Sequence, residues 1–223
     1  MITKFKLFES KEWFNAIREN DIDAVKKFIE DGIDINIKEN NEQHRAGLLW
    51  ASDFEYIDMI KLLLDNNADV DTQNNNNETP LYRAVYRHNK EIVSLLLDNN
   101  ADVNILVKDN YTSIILAAML NYNHILKLLL EYDNSKINNK NVFGRTALLE
   151  IVWKESLSFD SDKISKKLFN NITFDTIKIL IENGTDVFIK DNEDRCFFDY
   201  LNINNLNRIK KDYPEIYEKY MNS

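Results

Sequence analysis

The chain has 223 residues, and its 37 acidic and 28 basic residues give a formal net charge of −9 at pH 7, which argues against a nucleic-acid partner because an acidic surface repels a phosphate backbone. Hydrophobic residues make up 44 % of the chain, which is enough for a folded core. With only four glycines and two prolines to mark a boundary, we expect one continuous domain over residues 1–223.

A repeating pattern runs along the chain. It begins weakly, in the segment 28–36, and becomes clear at three leucine triplets, 62–64, 95–97 and 128–130, whose starts lie 33 residues apart. Asn-Ala-Asp-Val follows the first two triplets in phase, and Thr79-Pro80-Leu81 precedes the second. A weaker copy at 179–187 extends the pattern towards the C-terminus. Self-similarity at this period is typical of stacked helical repeats.

These segments resemble the Thr-Pro-Leu-His-x-Ala and Gly-Ala-Asp-Val-Asn signatures of the ankyrin-repeat family, and the resemblance covers nearly the whole chain. It implies an all-α solenoid of about six helix-turn-helix units with β-hairpin connections. We place the repeats at about 5–38, 39–72, 73–105, 106–139, 140–190 and 191–212, and a C-terminal capping helix at 214–222.

Residue types at the helix ends support this arrangement. Thr79 is a natural N-cap, and Pro80 suits the first helical turn, where its missing N–H needs no partner. The residue after the second helix of a repeat is expected in the left-handed conformation, which glycine and asparagine tolerate best. The residues at these positions are Gly32, Asn67, Asn100 and Gly184.

Two departures from the family pattern carry expectations of their own. Repeat two has Ala46 and Gly47 in place of Thr-Pro, so we expect lower local stability there. The histidine of the first helix is absent throughout, with Tyr82 and Asp199 in two of its places. We therefore expect weaker hydrogen bonding between neighbouring hairpins.

Repeat five contains an insertion of about 17 residues, near 154–172. Ser161 is a candidate cap, and apolar residues at 164, 168 and 172 have the spacing of one helical face. We predict a short amphipathic helix packed on its own repeat. A separate element that docks a partner is the alternative.

The sequence contains no recognisable catalytic, metal or cofactor motif. The three histidines share no metal-ligand spacing with each other or with Cys196, and the four glycines are too dispersed for a phosphate loop. We therefore expect a protein that is not an enzyme and needs no cofactor or metal. Cys196 precedes two phenylalanines and is expected to be a buried structural thiol.

Location is inferred from what the sequence lacks. The first nine residues do not contain the apolar run of about 7–15 residues that a signal peptide requires. No stretch approaches the roughly 18 apolar residues of a membrane span, and a lone cysteine fits a reducing compartment. We expect a cytoplasmic protein that has no membrane partner, while delivery as a secreted effector stays open.

The resemblance implies that another protein is bound on the concave side, at the hairpin tips and the exposed ends of the first helices. Four large residues, Phe54, Tyr86, Leu120 and Trp153, are predicted to form an apolar strip of binding anchors, unless they seal grooves between repeats. Arg87 and Arg145 are expected to be rim charges. The full predicted set is Arg45, Phe54, Glu78, Tyr86, Arg87, Tyr111, Met119, Leu120, Phe143, Arg145 and Trp153.

The function predicted from these residues is that of a protein-binding scaffold, as an adaptor or an inhibitor, and the chain is expected to be a monomer. The alternatives are a structural module that associates with a second copy of itself, and a host-directed effector of the same binding class.

Overall fold

We describe the protein from a computed structural model, which covers residues 2–157, 163–201 and 203–222. In these residues the regular structure is helical and no strand is formed, which confirms the predicted all-α repeat class. The helices are α1 Ile2–Arg18, α2 Ile22–Glu30, α3 Gly47–Asp53, α4 Ile57–Asp65, α5 Pro80–Tyr86, α6 Lys90–Asp98, α7 Ser113–Met119, α8 Asn123–Tyr132, α9 Ala147–Leu157, α10 Lys163–Glu182, α11 Phe197–Tyr200, α12 Ile203–Asp212 and α13 Pro214–Met221.

The chain divides into two compact units, unit 1 at Met1–Lys108 and unit 2 at Asp109–Ser223. In unit 1 the first helices of successive repeats, α1, α3 and α5, pack side by side, and α2 packs on α4. In unit 2 the same arrangement joins α7, α9 and α11 in one row and α8 and α10 in the other. One continuous domain over 1–223 stays a prediction.

The leucine triplets supply the core of the second helices. Leu63, Leu96 and Leu129, the middle residues of the three triplets, are fully buried. Burying a leucine side chain stabilises a fold by about 1.5–3 kcal/mol, so these residues hold each repeat to its neighbours.

The helix starts follow the sequence. The Thr79 hydroxyl accepts a hydrogen bond from the Tyr82 N–H at 3.1 Å, and Pro80 occupies the first turn of α5. Ala46 offers α3 no such cap. A Cβ atom at Gly47 would lie 2.6 Å from the Ile17 Cδ1, so glycine at this position allows α1 and α3 to approach closely.

Residues with positive φ mark the repeat boundaries. Asn67 and Asn100 both have φ of 65°, and Gly32 and Gly184 have φ of 83° and 87°, which confirms the left-handed helix ends. A second series lies in the turn between the paired helices and was not predicted. Its members are Asn20, Glu55, His88 and Asn121.

The predicted β-hairpin connections are tight reversals in which only one isolated bridge, Lys38 with Ala46, occurs among the described residues. The tips of repeats two, three, five and six are each closed by a backbone bond helped by a side chain. In repeat three the Asn74 N–H donates to the Glu78 carbonyl at 3.2 Å, while the Asn74 Oδ1 accepts from the N–H groups of Asn76 and Glu78. The Asn74 side chain thus supplies hydrogen bonds that a second pair of strand residues would otherwise supply.

Neighbouring tips are joined through the backbone, and the weaker bonding expected without the histidine stays a prediction. In unit 1 the Asn75 N–H donates to the Gln43 carbonyl at 3.1 Å, and Lys108 N–H to the Asn76 carbonyl at 2.9 Å. In unit 2 the corresponding bonds run from Val142 to Asp109 at 3.1 Å and from Asn192 to Phe143 at 3.2 Å.

The insertion does not form a separate short helix. Its described C-terminal part is the beginning of α10, which continues without a break into the second helix of the repeat, because no glycine or proline interrupts Lys163–Glu182. The predicted cap, Ser161, and the side chains at 164, 168 and 172 lie outside the described residues. None of the described helices is long and apolar enough to cross a membrane.

Candidate protein-binding faces

In unit 1 three arginines converge on one carboxylate. Asp53, at the end of α3, is buried, and its Oδ2 accepts a hydrogen bond from the Arg45 Nη1 at 2.8 Å. Its Oδ1 accepts from Arg83, and from the Nε and Nη2 of Arg87 at 3.0 and 2.9 Å. Burial raises the pKa of Asp53, but the hydrogen bonds and charges of the arginines, led by Arg83, outweigh it and hold the pKa below 3.8.

Aromatic rings lie beside this network. The Arg45 guanidinium is 4.5 Å from the centre of the Trp50 ring. Phe54 stacks on the same tryptophan with a centroid distance of 5.4 Å and contacts Tyr56 on its other side. Phe54 therefore covers its neighbours in part, yet 39 % of it stays exposed.

The end of α5 carries the most exposed groups of this face. Tyr86 is 51 % exposed, and the Arg83 guanidinium lies 4.9 Å from its ring centre. Glu78 is held inside by the Asn74 amide at 2.7 Å. We call Phe54, Arg83, Tyr86 and Arg87 the arginine face.

Unit 2 reverses the charges. Arg145 is buried, and its guanidinium nitrogens lie 3.8 Å from Glu150, 3.7 Å from Asp191 and 3.9 Å from Glu193. The guanidinium also lies 3.7 Å from the Trp153 ring centre. The expectation that Arg145 is a rim charge is wrong, because the side chain is enclosed by carboxylates of two adjacent repeats.

Two tyrosines complete the unit 2 network. The Tyr111 hydroxyl donates to Glu150 at 2.8 Å, and burial followed by this bond raises the Tyr111 pKa. The Tyr200 hydroxyl donates to Asp191, and burial together with that carboxylate raises the Tyr200 pKa to about 12. Burial raises the Asp191 pKa, but the Tyr200 hydrogen bond and two backbone N–H groups lower it by more.

The four residues of the predicted strip occupy two different positions of the repeat. Phe54 and Leu120 are the residues that end α3 and α7, whereas Tyr86 is the last residue of α5 and Trp153 lies within α9. Leu120, Trp153 and Met119 are half-buried, and Phe143 at a unit 2 tip is 48 % exposed. Lys154 donates to the Met119 carbonyl at 3.1 Å.

The sequence prediction missed the acids and Arg83 at the centres of these networks. Arg83 and Glu150 occupy the same position of the repeat, where repeat four has the apolar Leu116. A charged residue at a position that another repeat fills with leucine was the available signal for Arg83 and Glu150. Asp191 carried no comparable signal.

Among the described residues, no cluster of three or more His, Cys, Asp or Glu side chains could hold a metal ion. Cys196 is buried at the start of α11, where its N–H donates to Asp199 at 2.7 Å. Burial raises the pKa of the Cys196 thiol, which lowers its reactivity.

Sequence comparison supplies the family. A family model described as ankyrin repeats, in three copies, matches residues 13–107. Residues 13–107 therefore consist of ankyrin repeats. Ankyrin repeats are generally modules of protein–protein interaction.

Curated relatives match this ankyrin array over short segments. An ankyrin-repeat protein of fowlpox virus is 42 % identical over 69 residues, which are 31 % of this chain and 9 % of the viral protein. Serine/threonine-protein kinase 12 of Arabidopsis thaliana is 32 % identical over 75 residues, 34 % of this chain and 16 % of the kinase. An acyl-CoA-binding domain-containing protein 6 homolog of Dictyostelium discoideum is 45 % identical over 51 residues, 23 % of this chain and 17 % of its own length. The match therefore spans less than a fifth of each relative.

Proposed function

We propose that this ankyrin array is a non-catalytic, cytoplasmic module that binds another protein, as an adaptor or an inhibitor. The partner contacts the side that carries the tips and the first-helix ends, which the family presents as its concave face. The observation that carries the proposal is the exposure of three large rings there, Tyr86 at 51 %, Phe143 at 48 % and Phe54 at 39 %.

Exposed rings of this size favour a partner over a sealing role. Burying apolar surface is worth roughly 25 cal/mol per Å², so a half-exposed ring has stabilisation left to gain on binding. Aromatic residues beside arginines are also the types that dominate binding hot spots. Phe54, stacked on Trp50, combines both roles, whereas Tyr86 projects more than half of its surface to solvent.

Site-specific cross-linking tests this proposal. A photoreactive phenylalanine analogue at position 86 or 143 of the full chain is expected to form an adduct with the partner in lysate of the native cell. The matched control is position 132, because Tyr132 is 45 % exposed but lies at the end of a second helix. Equal adducts from 132 and 86 would contradict binding at the first-helix side.

Affinity for the captured partner then separates binding from sealing. Tyr86→Ala is expected to weaken the complex by roughly 30-fold, which is about 2 kcal/mol, with little change in folding stability. Tyr132→Ala is expected to leave the affinity unchanged. A lower urea midpoint with unchanged affinity for Tyr86→Ala would assign the ring to sealing.

We also propose that the free chain is a monomer. Light scattering coupled to gel filtration is expected to report a mass near 26.3 kDa. A mass of twice that value, lost in Tyr86→Ala, would favour self-association through the same face.

A further inference from the structure

Unit 1 concentrates its arginines at one place. Its 108 residues hold 13 basic and 20 acidic residues, a net charge of −7, yet all four of its arginines lie around Trp50 and Asp53. Arg18 and Arg45 lie 5.5 and 4.5 Å from the Trp50 ring centre. The remaining arginines of the unit, Arg83 and Arg87, bind Asp53. The basic residues elsewhere in the unit are lysines.

The depth of the charges decides what a partner meets there. The Asp53 side chain is 7 % exposed and that of Glu78 is 18 % exposed, whereas the Arg87 side chain is 39 % exposed. Glu55, the next carboxylate along the chain, is bound by the Asn89 amide at 2.8 Å on the adjoining turn. Arg87 therefore presents an exposed guanidinium that directly follows Tyr86 in the chain and binds the residue before Phe54.

Arg87 has capacity for a second carboxylate. Its Nε and Nη2 both donate to one oxygen, the Oδ1 of Asp53, which also accepts from Arg83. An arginine satisfied by a carboxylate normally forms two parallel bonds to two oxygens. Arg87 therefore does not bind two carboxylate oxygens in parallel. Its exposed N–H groups can donate to the carboxylate of another molecule.

We propose that the arginine face binds an acidic peptide segment of the partner protein. An Asp or Glu carboxylate of that segment pairs with the exposed edge of Arg87, and an adjacent apolar side chain packs against Phe54 and Tyr86. Because the rest of unit 1 is acidic, it repels such a segment everywhere else, and the arginine face sets its position. This inference rests on the proposed function and adds the chemistry of the partner.

Two labelled peptides and the full-length chain test the inference. In one ten-residue peptide a leucine and a phenylalanine are flanked by four glutamates, and in the other the glutamates are replaced by glutamines. Fluorescence anisotropy is expected to show that the glutamate peptide binds at least about tenfold more tightly, because only its carboxylates can pair with arginine. Equal binding of the two peptides, or no binding of the glutamate peptide, would overturn the inference.

Substitutions locate the binding. Arg87→Gln is expected to weaken the glutamate peptide about tenfold, and Arg87→Lys less, because lysine keeps the charge without the fork. Arg195→Gln is the matched control, since Arg195 is 38 % exposed and also paired with a carboxylate, Glu193, but lies in unit 2. Equal losses in the Arg87 and Arg195 variants would contradict the arginine face. Thermal melts monitored by circular dichroism verify that each variant is folded.

Cross-linking at position 86 distinguishes the two proposals. An adduct with the native partner whose yield is unchanged by Arg87→Gln would remove the acidic segment and leave protein binding in place. An absence of any adduct at both 86 and 143 would remove both.

Discussion

In unit 1 a buried carboxylate, Asp53, is bound by three arginines, whereas in unit 2 a buried arginine, Arg145, lies among three carboxylates. In both units an arginine directly before a first helix, Arg45 or Arg145, contacts a tryptophan of that helix. The repeat therefore places a charged cluster beside the first helices, but it does not determine whether the central charge is negative or positive. A buried charge must be neutralised locally because its desolvation is costly, and either sign satisfies that condition.

The outer layers of the two clusters differ as a result. In the cluster around Asp53 the exposed charge is that of Arg87. In the cluster around Arg145 it is that of Glu193, whose side chain is more than half exposed. Each unit thus offers a partner a different charge beside similar exposed rings. The difference is a means of giving two parts of one array different binding preferences.

The largest expected effect comes from removing the central arginine of unit 2. Arg145→Met leaves Glu150 and Asp191 buried without their cation, and we expect a loss of about 3–5 kcal/mol in the free energy of unfolding. Urea denaturation measures it. Adding Glu150→Gln should recover part of the loss. Arg195→Met removes only an exposed ion pair with Glu193 and should cost under about 1 kcal/mol. A loss below that of Asp53→Asn would break the comparison.

Removing the central acid of unit 1 should have a smaller effect. Asp53→Asn is expected to cost about 2–3 kcal/mol, because Arg87 can turn its exposed end to water and Arg45 keeps its contact with Trp50. Matched urea titrations of the two variants give the ranking. A loss larger than that of Arg145→Met would show that the three arginines depend on Asp53 more than their exposure indicates.

Lowering the pH should remove the contribution of the Asp53 carboxylate to the free energy of unfolding. Since its folded pKa lies below the ordinary 3.8, its stabilisation is complete above that value and is lost as pH falls through the lower folded pKa. The difference in unfolding free energy between wild type and Asp53→Asn should therefore narrow below about pH 4. A constant difference from pH 7 to pH 2 would contradict a lowered pKa.

Two glycines sharpen the comparison further. Gly144, at a unit 2 tip, has φ of 74° and a Cβ there would lie 2.8 Å from the Asn192 backbone nitrogen, so Gly144→Ala should cost about 1–2 kcal/mol or more. A Cβ at Gly47 would lie 2.6 Å from the end of the Ile17 side chain and 3.4 Å from the Trp13 ring, but Gly47→Ala gains helix propensity, so its change should stay within about 1 kcal/mol. Thermal unfolding of both variants checks the order.

The smallest expected effect concerns Tyr111. Tyr111→Phe removes its hydrogen bond to Glu150 and should cost about 1 kcal/mol, because Asn141 still donates to the same carboxylate. Tyr86→Phe is the control and should change stability by less than about 0.5 kcal/mol. Urea unfolding with equal losses for both would remove Tyr111 from the buried network.

Much of the fold could be predicted because it depends on local rules. The burial of Leu63, Leu96 and Leu129 follows from the apolar stripe of each second helix, and the positive φ of Asn67 and Asn100 follows from helix termination. Those signals lie within one repeat and act the same way in each.

The charged clusters could not be predicted in the same way. Arg87 and Asp53 are 34 residues apart, so the period places them in adjacent repeats, but side-chain geometry decides that Asp53 takes three arginines and Glu78 is left with one. For the same reason, the sequence could not show that Arg145 is buried, and Arg145 was expected on the rim. Its burial depends on Asp191, which lies beyond the insertion.

The bonds between neighbouring tips have a practical consequence for binder engineering. Because they run from N–H to carbonyl groups, as from Asn75 to Gln43 and from Asn192 to Phe143, they do not depend on which side chains the tips carry. A combinatorial library can therefore vary the side chains at 43, 76 and 143 while the backbone hydrogen bonds between neighbouring tips are retained. The positions to keep fixed are those with positive φ, Asn77 and Gly144 among them, since most side chains are strained there.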